Sequence, residues 1–389
     1  MRKFEFYGVG RVVFGRGEFA RAGELAAAMG RSALLVWNGS EALSGRLAEL
    51  LKSAGVSVTL RRQRGEPVVS DIDGAVDEGR RAGCDMVIGL GGGSAIDAAK
   101  ATAALLTNGG SAVDYMEVVG KGLKITKQAT PWMAIPTTAG TGAEATRNAV
   151  IGLPEKKFKA SIRSELMLPR VALIDAELGV AVPAAVTASS GMDALCQLIE
   201  SYTSSGATVI TDGLAMQGIR LAAKTLERAY RDGGDVEARE GMAMAALLSG
   251  ITLTNAGLGA VHGFAAPLGA NFPVPHGVVC AALLPHVIRA NVGTLKESAH
   301  GQAGLQRYAT IGRTLMADER LGDNEAIEGC VQYTQKLASQ MQIQRLSGFN
   351  MTEEDVPAMV GLAKKASSMR FNPVALSDEV LAGVLRAAI

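Results

Sequence analysis

Aromatic residues make up only 4% of this 389-residue chain, and 39 Lys and Arg against 38 Asp and Glu leave a net charge of +1. A nucleic-acid surface needs a basic excess to release counterions and ring faces for stacking, so neither figure suits one. A small, roughly neutral partner is expected instead. Cysteine is scarce as well. Cys84, Cys196, Cys280 and Cys330 lie far apart and form no CxxC pair, as expected of reduced, buried thiols in a cytoplasmic protein. No cationic stretch followed by an apolar core opens the chain, since "MRKFEFYGVG" turns polar and Gly-rich at once. Charge disappears between Glu240 and Arg289, yet His262, His276, Asn255, Asn271 and repeated Gly and Pro interrupt that run. A continuous apolar helix of about 20 residues is therefore broken, and the run reads as the interior of a soluble domain, not a membrane span.

What is present in quantity is apolar residues, 48% of the chain, over a length that suits two domains. The first half alternates short apolar runs with longer amphipathic ones. "SALLVW" (32–37), "VSVTL" (56–60), "DMVIGL" (85–90) and "WMAIPTT" (132–138) read as strands, with helices between the first three and after the third. This alternation predicts a doubly wound parallel sheet, and continuous apolar strands fit one covered on both faces. From about residue 184 the segments are Ala-, Leu- and Met-rich with helical spacing. The expected organisation is an α/β domain over 1–183 and an all-helical domain over 184–389.

"VIGLGGGSAIDAAKATAAL" (87–105) runs strand, glycine turn, helix. Gly91, Gly92 and Gly93 leave backbone N–H groups free to approach an anion. Ser94 is placed to cap the following helix, whose N-terminus favours negative charge. Asp97, one turn in, is placed to accept from a ribose or amide group. The motif is not GxGxxG, and a tight turn without a ligand is the plain alternative. "PTTAGTGAEAT" (136–146) follows the next strand and offers Thr137, Thr138 and Thr141, or else is simply a Thr-rich loop. Two such loops at successive strand ends are expected to meet at one crevice and together favour a dinucleotide.

In the helical half, "GMDALCQLIESY" (191–202) sets Asp193 and Gln197 four apart, on one helix face. A carboxylate and a histidine at that spacing would be half a metal site; glutamine is a poor ligand. Taken singly, His262 and His276 read as hydrogen-bonded core histidines, as does His286, with His300 on the surface.

These segments, with "NAGLGAVHGFAAPLGANFPVPHG" and "LLPHVIRAN", resemble the iron-containing (group III) alcohol dehydrogenase family over nearly the whole chain. The resemblance implies an NAD(P)-binding α/β half, a helical half, an active site in the cleft between them, and a homodimer or higher homo-oligomer. It implies hydride transfer between nicotinamide and the carbon of a small alcohol, aldehyde or ketone, with Fe(II) or Zn(II) polarising the oxygen. Gly92, Gly93, Ser94 and Asp97 match its dinucleotide contacts. Thr137 and Thr141 match its cofactor-lining threonines, and Lys159 and Leu178 match lesser cofactor contacts. Asn148 matches a substrate-pocket position, and Leu253 stands where some relatives have an aromatic. Asn38 aligns with an Asp of NAD-preferring relatives; it removes the repulsion of a 2′-phosphate, so NAD is expected and NADP is open.

The family's metal set is one Asp and three His. Asp193, His262 and His276 match three, Gln197 replaces the fourth, and Ala266 replaces a further histidine of the proton relay. One reading keeps a divalent ion on the trio, with Gln197 a weak fourth donor and His276 passing the proton. Another loses it, as in the related metal-independent maleylacetate reductases. A dehydroquinate synthase-like lyase would need a basic phosphate pocket that the uncharged run does not supply. A non-catalytic nucleotide-binding relic is the remaining alternative.

Overall fold

The structure is a computed structural model and describes residues 3–389. Two compact units divide the chain. One comprises Tyr7–Thr138 and Gly142–Ala181; the other comprises Val182–Ile389, Ala139–Thr141 and the residues up to Phe6. The excursion of Ala139–Thr141 into the second unit has a local cause. A Cβ on Gly140 would lie 2.7 Å from that of Ser190, and the Gly140 carbonyl accepts from Ser249 Oγ at 3.3 Å.

The α/β unit is built on a six-stranded parallel sheet. Its strands are β1 (Val12–Phe14), β2 (Ser32–Trp37), β3 (Ser57–Arg62), β4 (Met86–Gly91), β5 (Trp132–Pro136) and β8 (Val171–Ile174), in the order β1-β8-β5-β4-β2-β3. An antiparallel hairpin, β6 (Asn148–Leu153) and β7 (Phe158–Arg163), stands apart from the sheet. The four longer strands were legible as apolar runs. β1 and β8, three and four residues long, are too short to show a period, and the hairpin was not anticipated.

Side chains on successive residues of a strand point to opposite faces. Leu34, Val36 and Val87 accordingly enter one apolar cluster, while Ala33, Leu35, Trp37, Met86 and Ile88 enter another. The helices of this unit are α1 (Ala22–Ala27), α2 (Glu41–Ser53), α3 (Val69–Arg81), α4 (Gly93–Asn108) and the short α5 (Ala112–Tyr115). α4 packs very closely on β4: a Cβ on Gly89 would come within 2.8 Å of the Ala99 methyl. Its Ala-rich face exists to permit that approach.

The second unit holds nine α-helices among the described residues: α6 (Ala184–Thr203), α7 (Val209–Arg231), α8 (Val236–Ala256), α9 (Ala260–Asn271), α10 (His276–Glu297), α11 (Gln302–Met316), α12 (Asp323–Gln340), α13 (Val356–Ala363) and α14 (Asp378–Ala388). They share one apolar core, which takes in Cys196, Val261, Phe264, Cys280 and Leu284. Helix α10 is long and apolar enough to cross a membrane, but 61% of its most apolar stretch is buried within the protein. The α8–α9 pair meets the same criterion only jointly and is bent by 102°. Packing against neighbouring helices explains their apolar character. All four cysteines are unpaired, three of them buried.

Candidate active site

In the α/β unit the glycine turn joins β4 to α4. Gly91 sits at φ +141°, in a region that disfavours any side chain. A Cβ there would lie 2.0 Å from Asn38 Oδ1. That oxygen is engaged: it accepts the Gly92 N–H at 2.9 Å, so the residue after β2 braces the turn after β4. Gly92 is the N-cap of α4, with no side-chain cap, and its carbonyl takes the Ala95 N–H at 3.0 Å. Ser94, expected as the cap, instead lies inside the first turn, because the helix starts two residues earlier, with Gly92 as its cap. The cradle is made of backbone. Thr137 N–H donates to the Gly91 carbonyl at 2.9 Å, and Thr138 flanks Gly92 on the open side.

Asp97, expected to face a ligand, directs its carboxylate into the protein. Oδ2 accepts the Val150 N–H at 3.0 Å, and Oδ1 faces Lys100 Nζ at 3.3 Å. Lys100 is fully buried and also donates to Thr146 Oγ1 and the Asn148 carbonyl, both at 2.6 Å. Burial, against the pull of Asp97, lowers its pKa. The nearby Glu144 is equally enclosed, and burial pushes its carboxyl pKa up to about 7. Neither residue was singled out from the sequence. Together they tie the start of α4 to the loop before β6. Asn148 begins β6, with Nδ2 on Ser161 Oγ at 3.4 Å and Oδ1 buried without a partner. Lys159 pairs with Glu66, and Leu178 packs on the Leu35–Ile88 face of the sheet. Thr141 belongs to the helical unit.

In the helical unit, α6, α9 and α10 bring titratable side chains together in an otherwise apolar core. The ligand atoms of Asp193, His262, His276 and Cys280 all lie within 4.8 Å of one another. His262 Nε2 is 3.2 Å and His276 Nε2 3.7 Å from Asp193 Oδ1. Cys280 Sγ is 3.7 Å from each of these nitrogens. On the other side of the His262 ring, Nδ1 meets Glu200 Oε2 at 2.6 Å, and Cys196 Sγ lies 4.0 Å away. Glu200 also accepts the Val261 N–H at 2.7 Å, which fixes the carboxylate against α9. With Nδ1 engaged by Glu200, Nε2 is the ring nitrogen of His262 that faces the cluster.

Helix geometry explains the convergence. Asp193, Cys196, Gln197 and Glu200 stand at i, i+3, i+4 and i+7 and share one face of α6. His276 and Cys280 are one turn apart on α10. Cys280 and Glu200 went unnoticed in the sequence, although both spacings were visible there. Gln197 turns its amide nitrogen to Asp193 Oδ2 at 3.4 Å, and its Oε1 is buried with no hydrogen-bond partner. Leu253 on α8 and Ala266 on α9 are half-buried. His286 is half-buried with its pKa lowered by burial and two arginines, and His300 is exposed.

The field in this cluster is that of a cation site. Burial opposes protonation of both imidazoles, yet the Cys280 sulfur and the Asp193 carboxylate outweigh it, carrying His276 up to about 9 and His262 well above its ordinary range, while burial also pushes the Cys280 thiol well above its own ordinary range. Burial likewise disfavours charge on Asp193, but the facing histidines overcome it and hold the carboxyl low. A pocket that retains protons this firmly is one in which a divalent ion is favoured. Carboxylate, imidazole and thiol donors suit a divalent transition metal, and the unpartnered Gln197 Oε1 marks polar demand left over at the same place.

Comparison with known proteins agrees with both halves. Residues 10–176 match the family model described as "Iron-containing alcohol dehydrogenase", and residues 187–389 match "Fe-containing alcohol dehydrogenase family, C-terminal". The chain is 35% identical over 328 residues to the NAD-dependent methanol dehydrogenase of Bacillus methanolicus, covering 81% of this chain and 85% of that one. It is 33% identical over 386 residues to the choline dehydrogenase of Bacillus subtilis, covering 97% and 94%. Among solved structures, a 1,3-propanediol oxidoreductase superposes with a TM-score of 0.92 at 33% identity, covering 100% of both chains.

Proposed function

The chain belongs to the iron-containing alcohol dehydrogenase family, and from that premise we propose how its own residues carry the activity. It is an NAD(P)-dependent oxidoreductase that interconverts an alcohol and its carbonyl compound. The observation that carries the mechanism is the convergence of Asp193, His262 and His276.

These three side chains would hold the divalent ion, which, when bound, supplies Lewis acidity toward the alcohol oxygen. The nicotinamide cofactor supplies the hydride acceptor or donor. Glu200 locks the tautomer and ring orientation of His262. Asp193 concentrates negative charge where a cation is wanted, and the surrounding apolar helices exclude water that would screen it. With alanine at position 266, the alcohol proton would leave through water at the edge of the site where His276 is half-exposed, Asp193 being enclosed. In the α/β unit, the free N–H groups of Gly93 and Ser94 in the first turn of α4 are the ones to bind the dinucleotide's phosphates, the Gly92 N–H being held by Asn38. Asn38, Thr137 and Thr138 hold that turn in shape, with Thr141, Lys159 and Leu178 as lesser contacts.

NAD is the proposed cofactor. Asn38 carries no charge to repel a 2′-phosphate, so NADP is expected to be used as well. The substrate is proposed to be a small neutral alcohol or aldehyde near Leu253 and Ala266, because no Asp, Glu, Lys or Arg occurs between residues 241 and 288. A cytoplasmic homodimer or larger homo-oligomer is the proposed setting.

The test is turnover of a panel of small alcohols and aldehydes with NAD or NADP, with Fe(II) or Zn(II) supplied. Cofactor-dependent turnover is expected, and Asn38→Asp should lower kcat/KM for NADP at least tenfold while sparing NAD. No turnover across the panel would defeat the proposal.

A further inference from the structure

The apolar core of the helical unit contains three buried cysteines, and they are not alike. Cys330 has no polar side-chain partner and is the ordinary case of a thiol used as a small hydrophobe. Cys196 faces Nδ1 of His262 from 4.0 Å, but Glu200 already takes that nitrogen at 2.6 Å. Cys280 is different. Its sulfur stands 3.7 Å from Nε2 of both His262 and His276, the two nitrogens that also flank Asp193 Oδ1.

We propose that Cys280 is a thiolate ligand, completing an Asp193–His262–His276–Cys280 donor set that takes Zn(II) in preference to Fe(II). The inference rests on the metal-assisted reading above and deepens it. A zinc ion about 2.0 Å from nitrogen and oxygen and about 2.3 Å from sulfur, in a tetrahedron, has N···O edges of roughly 3.3 Å and N···S edges of roughly 3.5 Å. The structure holds N···O edges of 3.2 and 3.7 Å and N···S edges of 3.7 Å twice, with all four donor atoms within 4.8 Å of one another, close to what one ion would require. Gln197, whose amide nitrogen donates to Asp193 Oδ2 at 3.4 Å, offers only a neutral amide oxygen, a weaker ligand than a thiolate. Soft sulfur favours zinc, and zinc also binds a given donor set more tightly than Fe(II). On binding, the thiol proton is released to solvent and the sulfur lone pair forms the bond to the metal.

The experiment uses the full chain, loaded with Co(II) for absorption and with Zn(II) for X-ray absorption. Expected are a near-ultraviolet thiolate-to-cobalt charge-transfer band and a sulfur shell at about 2.3 Å around zinc. Cys280→Ser should abolish both and weaken Zn(II) binding by at least tenfold in chelator competition, with its circular dichroism and Tm reported alongside. Cys196→Ser should keep both signals. Should Cys280→Ser fail to fold, the zinc shell of the unmodified protein and the Cys196→Ser spectrum still decide the matter. A bound ion with only nitrogen and oxygen neighbours overturns the cysteine assignment and leaves the dehydrogenase standing. Absence of any bound cation, in a protein that still turns over alcohol, overturns both the assignment and the metal-assisted mechanism.

Discussion

The two halves of this enzyme build their sites from different materials. In the α/β unit the cradle is backbone: Gly91, Gly92 and Gly93 within one turn, braced by Asn38. In the helical unit the site is side chains alone, drawn from α6, α9 and α10 across 88 positions from Asp193 to Cys280. A backbone site depends on local conformation and therefore tolerates change in most of its surroundings. A side-chain site in a low-dielectric core depends on each partner, because an ionised group left unpaired there is costly.

Mutation should expose that contrast, and the largest effect belongs to the helical unit. Asp193→Asn keeps the shape but removes the charge that the two histidines face. A loss in kcat/KM of about 10³-fold or more is expected, with bound metal lost in parallel; turnover within tenfold of the parent would break the comparison.

Next comes a stability effect in the α/β unit, where buried side chains such as Lys100 and Glu144 depart from its backbone logic. A carboxyl whose folded pKa lies near 7, above the ordinary 4.5, binds its proton more tightly in the folded state. Folding stability should therefore fall as pH rises from 4.5 to 7, by about 3 kcal/mol in total. Glu144→Gln should flatten this dependence and be the more stable form above pH 7. Equal slopes in denaturant titrations of the two proteins would refute it.

Glu200→Gln keeps a hydrogen-bond partner for His262 but not its charge, and should cost 10- to 100-fold in metal affinity. Elemental analysis after competition with a chelator measures this, and unchanged affinity would show that Glu200 only packs.

The smallest change is expected at Gly91→Ala. The new methyl would displace the Asn38 amide from Gly92 and force a non-glycine residue to φ +141°, for about 1–3 kcal/mol of stability and a raised KM for the dinucleotide. Unaltered Tm and KM would mean that the turn does not need its glycine.

What could be read from the sequence follows the same division. The glycine turn, four strands and the helical character after residue 184 are properties of contiguous residues, and pattern reveals them. The position of Asp193, His262 and His276 was reached through the family resemblance, since nothing local distinguishes a ligand histidine from a core one. Cys280 and Glu200 escaped because a thiol in an apolar run and a glutamate among helical residues are unremarkable until tertiary packing sets them beside an imidazole. Asp97 shows the opposite limit. One turn into α4 it looks available to a ligand, and only the fold shows that the buried Lys100 on the next turn and the Val150 N–H engage its carboxylate. Ser94 looked like a cap because serine prefers that position; Gly92 takes it instead, the chain having entered the helix two residues sooner.

The shared cation is the centre of the account, and chelation tests it directly. The purified protein should contain one divalent ion per chain, lose alcohol turnover when that ion is stripped, and regain it when Zn(II) or Fe(II) is restored. Full turnover by protein from which every equivalent of metal has been removed would contradict it.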